Sequence, residues 1–256
     1  MIAITREPSG SFESCELSYI DREPIDAARA REQHRAYRDA LAELGVTVRH
    51  LPELEGYPDA VFVEDTALVL DEVAVLLRPG AESRRGEVES VAAALGEHRE
   101  LLRIEAPGTL DGGDIVRVES TLYVGLSRRT NHAGLKALAH LVLGHGYRVK
   151  AVPMRDCLHL KSAASYLGGD ELLFSPAWVD LASFAGTRGI EIDPSEAHAA
   201  NVLPVGDTIL VPAAAPRTAE RLEAAGRNIR LVANDELAKA EGALTCQSLL
   251  FAENNV

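Results

Sequence analysis

The stretch Ala243-Leu-Thr-Cys-Gln-Ser-Leu-Leu-Phe251 is an apolar run headed by a thiol, standing alone near the end of the chain. Elsewhere such runs come in sets. The segments 60–70 and 73–77 read as two strands, RPGAESRRGEVESVAAAL (78–95) as a helix capped near Ser83, and 101–104 as a further strand. The set recurs as 114–118, 121–124, the helical GLSRRTNHAGLKALAHLVLGHG (125–146) and 147–152. The Ser-Arg-Arg triplets at 83–85 and 127–129 stand 44 residues apart, at the same point of each set. A third set runs 158–166, 171–174 and a helix over 175–184, where Pro176 suits the first turn. The fourth is 201–205, 208–211, a helix over 217–225 ended by Gly226, and 229–232. The fifth has only its first strand. Its missing parts lie at the other end: a strand at 2–5, a long amphipathic helix at 25–44 and a return strand at 46–51. Five ββαβ-type units, the last completed by the N-terminus, predict an α/β ring closed by pairing of the two ends, not an open solenoid. The plainer reading is that strand-strand-helix-strand repetition is common in α+β proteins.

With 256 residues, 46% apolar and 25% charged, the chain has the composition of an ordinary globular protein, read as one domain over 1–256. A net charge of −13 argues against nucleic acid and suits a cationic small molecule. Cys15, Cys157 and Cys246 are odd in number and share no CxxC spacing, so neither a disulfide framework nor a structural zinc site is expected. The opening MIAITREP meets charge and proline too early for a signal peptide, and no apolar run approaches the ~20 residues that span a bilayer. A protein of the reducing cytoplasm, monomer or homodimer and without membrane contact, is expected.

In a ring, the first strands of the units converge on one axis. They carry Glu64-Asp65, Asp111 and Asp114, His159, and Cys246. A thiolate is a nucleophile once a nearby positive charge lowers its pKa. His159 can serve as general acid and base, and a carboxylate beside it would fix its tautomer. The surplus carboxylates Asp59, Glu64 and Asp65 have no use in peptide hydrolysis. They suit a planar guanidinium, whose charge would also help to ionise the thiol. Each residue has a bland reading beside this one. A free cysteine is usually a small core residue, DGGD is a common turn string, and a lone histidine more often satisfies a core. A hairpin turn could hold Glu64-Asp65, although the β-branched neighbours make that awkward. Arg84 and Arg129 could be solvated helix-end charges. Cys15 and Cys157 fit the core reading.

Taken in order, DAVFVEDTA (59–67), RPGAESRR (78–85), LDGGD (110–114), VGLSRRTN (124–131), LHLKS (158–162) and EGALTC (241–246) make the chain resemble the dimethylarginine dimethylaminohydrolases, of the guanidine-modifying pentein superfamily. The resemblance spans essentially the whole chain and implies a five-bladed α/β propeller. It implies Cys246 as nucleophile, His159 as general acid/base and Asp111 as the carboxylate that orients it. Asp59, Glu64 and Asp65 would bind the substrate guanidinium, and Arg84 and Arg129 would clamp its α-carboxylate. Leu17 and the segment Ala240-Glu241 would form wall and lid at the amino-acid end. Glu241-Gly242 departs from the Asp-Gly of relatives, and Gln247 is larger than expected after the nucleophile.

The implied reaction is hydrolysis of Nω-methylated arginine to citrulline and a methylamine. It requires neither metal nor organic cofactor, being substitution at an electron-poor carbon. A deiminase acting on arginine or another guanidino compound is the close alternative, although the chain lacks the length for the extra helical domain of larger arginine deiminases. A non-catalytic interaction module of the same fold, as in ribosome-associated proteins, would need no thiol, imidazole and carboxylate at these positions. A zinc hydrolase lacks clustered ligands, although one thiol with one imidazole can bind adventitious zinc.

Overall fold

The computed structural model describes residues 1–253. The C-terminal Asn-Asn-Val, included in the single domain read from the sequence, lies outside them. Within the described residues there are five three-stranded sheets, all of one pattern: an antiparallel pair whose middle strand also pairs in parallel with a third. The first to close within the sequence joins β3 (Ala67–Val69), β4 (Val73–Leu76), the helix α2 (Val88–Leu95) and β5 (Glu100–Arg103), once β1 (Ile2–Arg6), α1 (Ala27–Glu43) and β2 (Thr47–Leu51) have passed. The second holds β6 (Ile115–Val118), β7 (Thr121–Gly125), α3 (His132–Val142) and β8 (Arg148–Val152). The third holds the single turn α4 (Leu160–Ala163), β9 (Ala164–Gly168), β10 (Glu171–Phe174) and β11 (Arg188–Glu191). The fourth holds β12 (Leu203–Val205), β13 (Thr208–Pro212), α5 (Pro216–Ala224) and β14 (Asn228–Val232). After the short α6 (Asp235–Ala238), β15 (Leu249–Phe251) pairs antiparallel with β1, Ile4 opposite Leu249 and Ile2 opposite Phe251. β2 runs parallel on the other side of β1, so both ends of the chain build the fifth sheet.

The sequence specifies the local geometry by ordinary means. The middle strands are buried and apolar, as in β4, where every residue of Val-Ala-Val-Leu is covered. Gly169 and Asp170, both at positive φ, turn β9 into β10 as a two-residue hairpin loop requires. Asp26 caps α1 by accepting from the backbone N–H groups of Ala28 and Arg29, and Pro216 opens α5. The cores lie between sheets, not within them. Ile4, Leu249, Leu76 and Val91 join the fifth sheet to the first; Val75, Ile115 and Leu138 join the first to the second. Tyr123 and Leu172 link the second to the third, Leu173 and Val211 the third to the fourth, and Leu210 and Ala3 the fourth to the fifth. Each sheet therefore shares apolar surface with the next, and the last with the first.

Several elements differ from the sequence reading. The helix expected over 78–95 is a 3-10 turn at Glu82–Glu87 followed by α2, and Ser83 donates to the Glu16 carboxylate where it was expected to cap. No α-helix forms over 175–184; Asp180 instead accepts from Ala182 N–H and nucleates only the 3-10 turn Leu181–Ser183. The return strand β11 has an exposed Arg-Gly start that gives no apolar signal. The strand expected from residue 60 is confined to Ala67–Val69, because Val63–Thr66 form a 3-10 turn.

Candidate active site

That last difference recurs and locates the site. The chemistry-bearing residues do not lie on the first strands but on the short helical turns that enter them. Glu64 and Asp65 lie in the turn before β3, and Asp111 immediately precedes the turn Gly112–Asp114 before β6. His159 immediately precedes α4 before β9, and Cys246 lies in the turn Thr245–Gln247 before β15. A tight turn holds its residues against neighbouring backbone, where a strand would alternate them between faces. The turns are tied into a circuit. Gly113 N–H donates to Asp65 at 2.9 Å, and Leu160 N–H to Asp114 at 3.1 Å. Asn201 donates to the Lys161 carbonyl at 3.2 Å and accepts from Thr245 N–H at 3.0 Å. The Thr245 hydroxyl returns to Glu64 at 2.7 Å.

Cys246, His159, Asp59, Asp65, Arg84, Arg129 and Ala240 line one small pocket, with Glu16, Phe62, Leu158 and Glu241. His159 Nε2 lies 3.2 Å from Asp111 Oδ2, and Asp111 Oδ1 accepts from Gly80 N–H at 2.8 Å. The glycines of the LDGGD string have a reason to be there. A Cβ on Gly112 would stand 2.0 Å from the Glu64 carbonyl oxygen, and one on Gly113 2.6 Å from His159 Nδ1. Only a bare backbone lets the imidazole and the acidic turn approach so closely.

Burial disfavours a charge on His159, but Asp65, Asp114 and Asp111 outweigh it and push its pKa up to about 9. The imidazole is therefore protonated at neutral pH. Cys246 goes the other way: burial, then the Glu64 and Asp65 carboxylates, push the thiol well above its ordinary range. Burial also raises Asp114, to about 6, against the pull of His159. Burial opposes ionisation of Asp65 too, yet His159 and Arg84 hold its carboxyl below the usual range. The site thus pairs a cationic acid with a neutral thiol beside fixed negative charge.

Other residues reported by the sequence reading are placed less simply. Glu64 does not line the Cys246 pocket; its carboxylate is held by Lys161 Nζ at 2.6 Å and by Thr245, and it borders a second cavity of about 330 Å³. Arg84 lines the pocket, but its guanidinium is engaged by Asp65 at 2.6 Å, by Glu87, and by the carbonyls of Asp59 and Phe62. Arg129 is freer, donating to Ser18 Oγ at 3.3 Å with its other Nη 3.9 Å from Asp111. Leu17 is not among the residues lining the pocket; it packs against the apolar cluster that holds Cys246, Ala240 and Phe62. Gln247 is buried, accepting from His34 at 3.1 Å and donating to the Ala243 carbonyl at 3.2 Å. Burial lowers the His34 pKa to about 3, so this is a neutral imidazole donating from Nδ1. The large residue after Cys246 thus braces the cysteine turn against α1.

Asp65, Asp111 and His159 each place one ligand atom within 4.8 Å of the others, the set among the described residues that could hold a metal ion. Those atoms already serve Arg84, Gly113, Gly80 and one another.

Comparison with known proteins fixes the family. Residues 17–167 match the family model described as "N,N dimethylarginine dimethylhydrolase, eukaryotic". The N(G),N(G)-dimethylarginine dimethylaminohydrolase of Pseudomonas aeruginosa is 39% identical over 228 residues, 88% of this chain and 90% of that protein. That of Streptomyces coelicolor is 39% identical over 254 residues, covering 98% and 97%. The chain belongs to the dimethylarginine dimethylaminohydrolase family. Its members are hydrolases of amidine C–N bonds. A Cys-to-Ser mutant of the P. aeruginosa dimethylarginine dimethylaminohydrolase, solved with citrulline, superposes with a TM-score of 0.92 at 36% identity, covering 98% of both chains. The N-terminal domain of a cyanobacterial arginine dihydrolase, at 22% identity and TM-score 0.83, shares the fold. Among the described residues no helix is long and apolar enough to cross a membrane.

Membership in the dimethylarginine dimethylaminohydrolase family leaves residues that the sequence reading passed over. Glu87 lies three positions after Arg84, a spacing that marks a helical ion pair. Lys161 stood inside the quoted LHLKS string without a role. Asn201 opens the fourth unit where others carry a charge, and Glu16 gave no signal at all.

Proposed function

We propose that this chain hydrolyses Nω-methylated L-arginine to L-citrulline and methylamine or dimethylamine, in a single catalytic domain folded as a five-bladed α/β propeller. The circuit of hydrogen bonds and the shared cores between successive sheets support the ring. The observation that carries the reaction is the meeting of Cys246, the His159–Asp111 pair and the pocket carboxylates around one small space. The citrulline complex of the family member at 36% identity favours the same reading.

The chemistry follows from the charges. A neutral thiol among carboxylates is a poor nucleophile until a cation arrives. Asp59 and Asp65 receive the substrate guanidinium, with Glu64 acting from behind the cysteine turn, and its positive charge lowers the thiol pKa. The thiol gives up its proton to solvent as the substrate binds, and the Cys246 thiolate then bonds to the guanidinium carbon. The C–N bond to the methylated nitrogen breaks as His159 gives that nitrogen its proton, and a thiouronium remains. Water adds to the same carbon and gives its proton to His159. The C–S bond breaks, the departing sulfur takes the proton of the added hydroxyl, and citrulline leaves with the thiol restored. Phe62 and Leu158 offer apolar contact to the methyl groups, and Leu17 and Ala240 the wall at the amino-acid end.

Arg129, with an uncommitted guanidinium edge, clamps the substrate carboxylate; Arg84, held by Asp65 and Glu87, contributes charge more than contact. Arg129→Ala is expected to raise KM for carboxylate-bearing substrates by roughly 10- to 100-fold, the loss of one charge-assisted pair. Agmatine-like amines should be affected far less in parallel assays. Citrulline release from asymmetric dimethylarginine tests the proposal as a whole; absence of product would remove it.

A further inference from the structure

The pocket around Cys246 encloses about 20 Å³, no more than the space of a single water. An arginine derivative cannot enter without movement of its cover. Loop 16–20 is part of that cover: Glu16 lines the pocket and accepts from Ser83, Leu17 packs against the apolar cluster that holds Cys246, and the remaining attachments are polar. Glu16 N–H donates to Asp59, and Ser18 Oγ accepts from Arg129. Arg128 lies 5.4 Å from the centre of the Tyr19 ring. The strongest attachment is elsewhere: the Glu241 carboxylate accepts from three consecutive backbone N–H groups, Ser18 at 2.9 Å, Tyr19 at 2.5 Å and Ile20 at 3.1 Å.

Glu241 occupies an unusual place for glutamate. Glu241 N–H bonds the Ala238 carbonyl and Gly242 N–H the Leu237 carbonyl, the pair of bonds that ends a helix in a left-handed residue. That residue is ordinarily glycine, yet here it is Glu241 at φ 58°. The strained backbone aims the carboxylate across at the loop, 223 positions away in sequence from Ser18. Glu241 also borders both the Cys246 pocket and the neighbouring cleft of about 400 Å³, into which Tyr19 and Ile20 face.

We infer that Glu241 is the latch of the pocket: its carboxylate pins residues 18–20 over Cys246, and the loop opens when those three bonds break. Asp59 and Arg129 hold the same loop in the closed state, so the groups proposed to bind substrate are released as the loop lifts. Glu241 is a positioning residue in this scheme. The inference rests on the pocket assigned above but on no particular substrate.

Glu241→Gly tests it, because glycine suits the left-handed conformation and keeps the helix end while deleting the carboxylate. The readout is alkylation of the folded protein by iodoacetamide, followed at Cys246 by peptide mass spectrometry. It needs no turnover, so failure of the dimethylarginine reading leaves it intact. Expected is a Cys246 rate at least about tenfold above wild type, the factor that ~1.4 kcal/mol represents. The melting temperature should not fall, and Cys15 and Cys157 should stay protected. Glu241→Gln, which keeps the length but not the charge, should lie between. A Cys246 rate equal to wild type overturns the latch, as does a rise shared equally by all three cysteines, which reports general loosening.

Discussion

Cys246→Ser is expected to lower kcat by at least about ten-thousandfold, the scale on which removal of a covalent nucleophile acts. The reason is specific to this site. Burial and the Glu64 and Asp65 carboxylates already oppose ionisation of the thiol. A serine hydroxyl starts several pKa units higher, so the same incoming guanidinium cannot ionise it. Binding is a separate matter, because the carboxylates and Arg129 are untouched. Calorimetry with asymmetric dimethylarginine should therefore give an affinity within about a factor of ten of wild type, or tighter. Turnover surviving within tenfold of wild type would remove Cys246 from the mechanism.

His159→Gln is expected to cost about 10²- to 10⁴-fold in kcat, the range for a positioned acid and base. The pH dependence is the sharper part. His159 has its pKa raised to about 9 by the surrounding aspartates, so its proton is present below that value and lost above it. As a general acid it must carry the proton when the amine departs. The wild-type kcat/KM should therefore fall as pH rises through about 9. The variant's residual activity should lack that descending limb. A limb unchanged in His159→Gln would assign it to another group.

The repeat order was legible because the units other than the third repeat two apolar runs, an amphipathic helix and a return strand, and because the lone 243–251 run lacked partners that 2–51 supplies. Pairing of Ile4 with Leu249 and of Ile2 with Phe251 bears that out. The site residues were legible as types. Carboxylates at Glu64-Asp65 and a thiol at Cys246 are out of place in apolar runs, and such misfits mark sites. What the runs could not give was the local conformation. Val63, Glu64 and Asp65 read as strand because their neighbours are β-branched, yet hydrogen bonds from other units fold them into a 3-10 turn. Partners distant in sequence were equally hidden. Nothing local ties Lys161 to Glu64, Gln247 to His34, or Glu241 to Ser18. Arg84 shows the same limit: its motif was plain, but its engagement by Asp65 and Glu87 depends on how deeply the turn is buried.

The most direct test of the central claim is a single citrulline assay. Asymmetric dimethylarginine, monomethylarginine and arginine are offered side by side to the wild-type chain, with initial rates taken below KM. The expected result is citrulline from both methylated substrates, at a kcat/KM at least about tenfold above that for arginine, the discrimination apolar contact with one or two methyl groups can provide. Equal or faster use of arginine would contradict the substrate assignment.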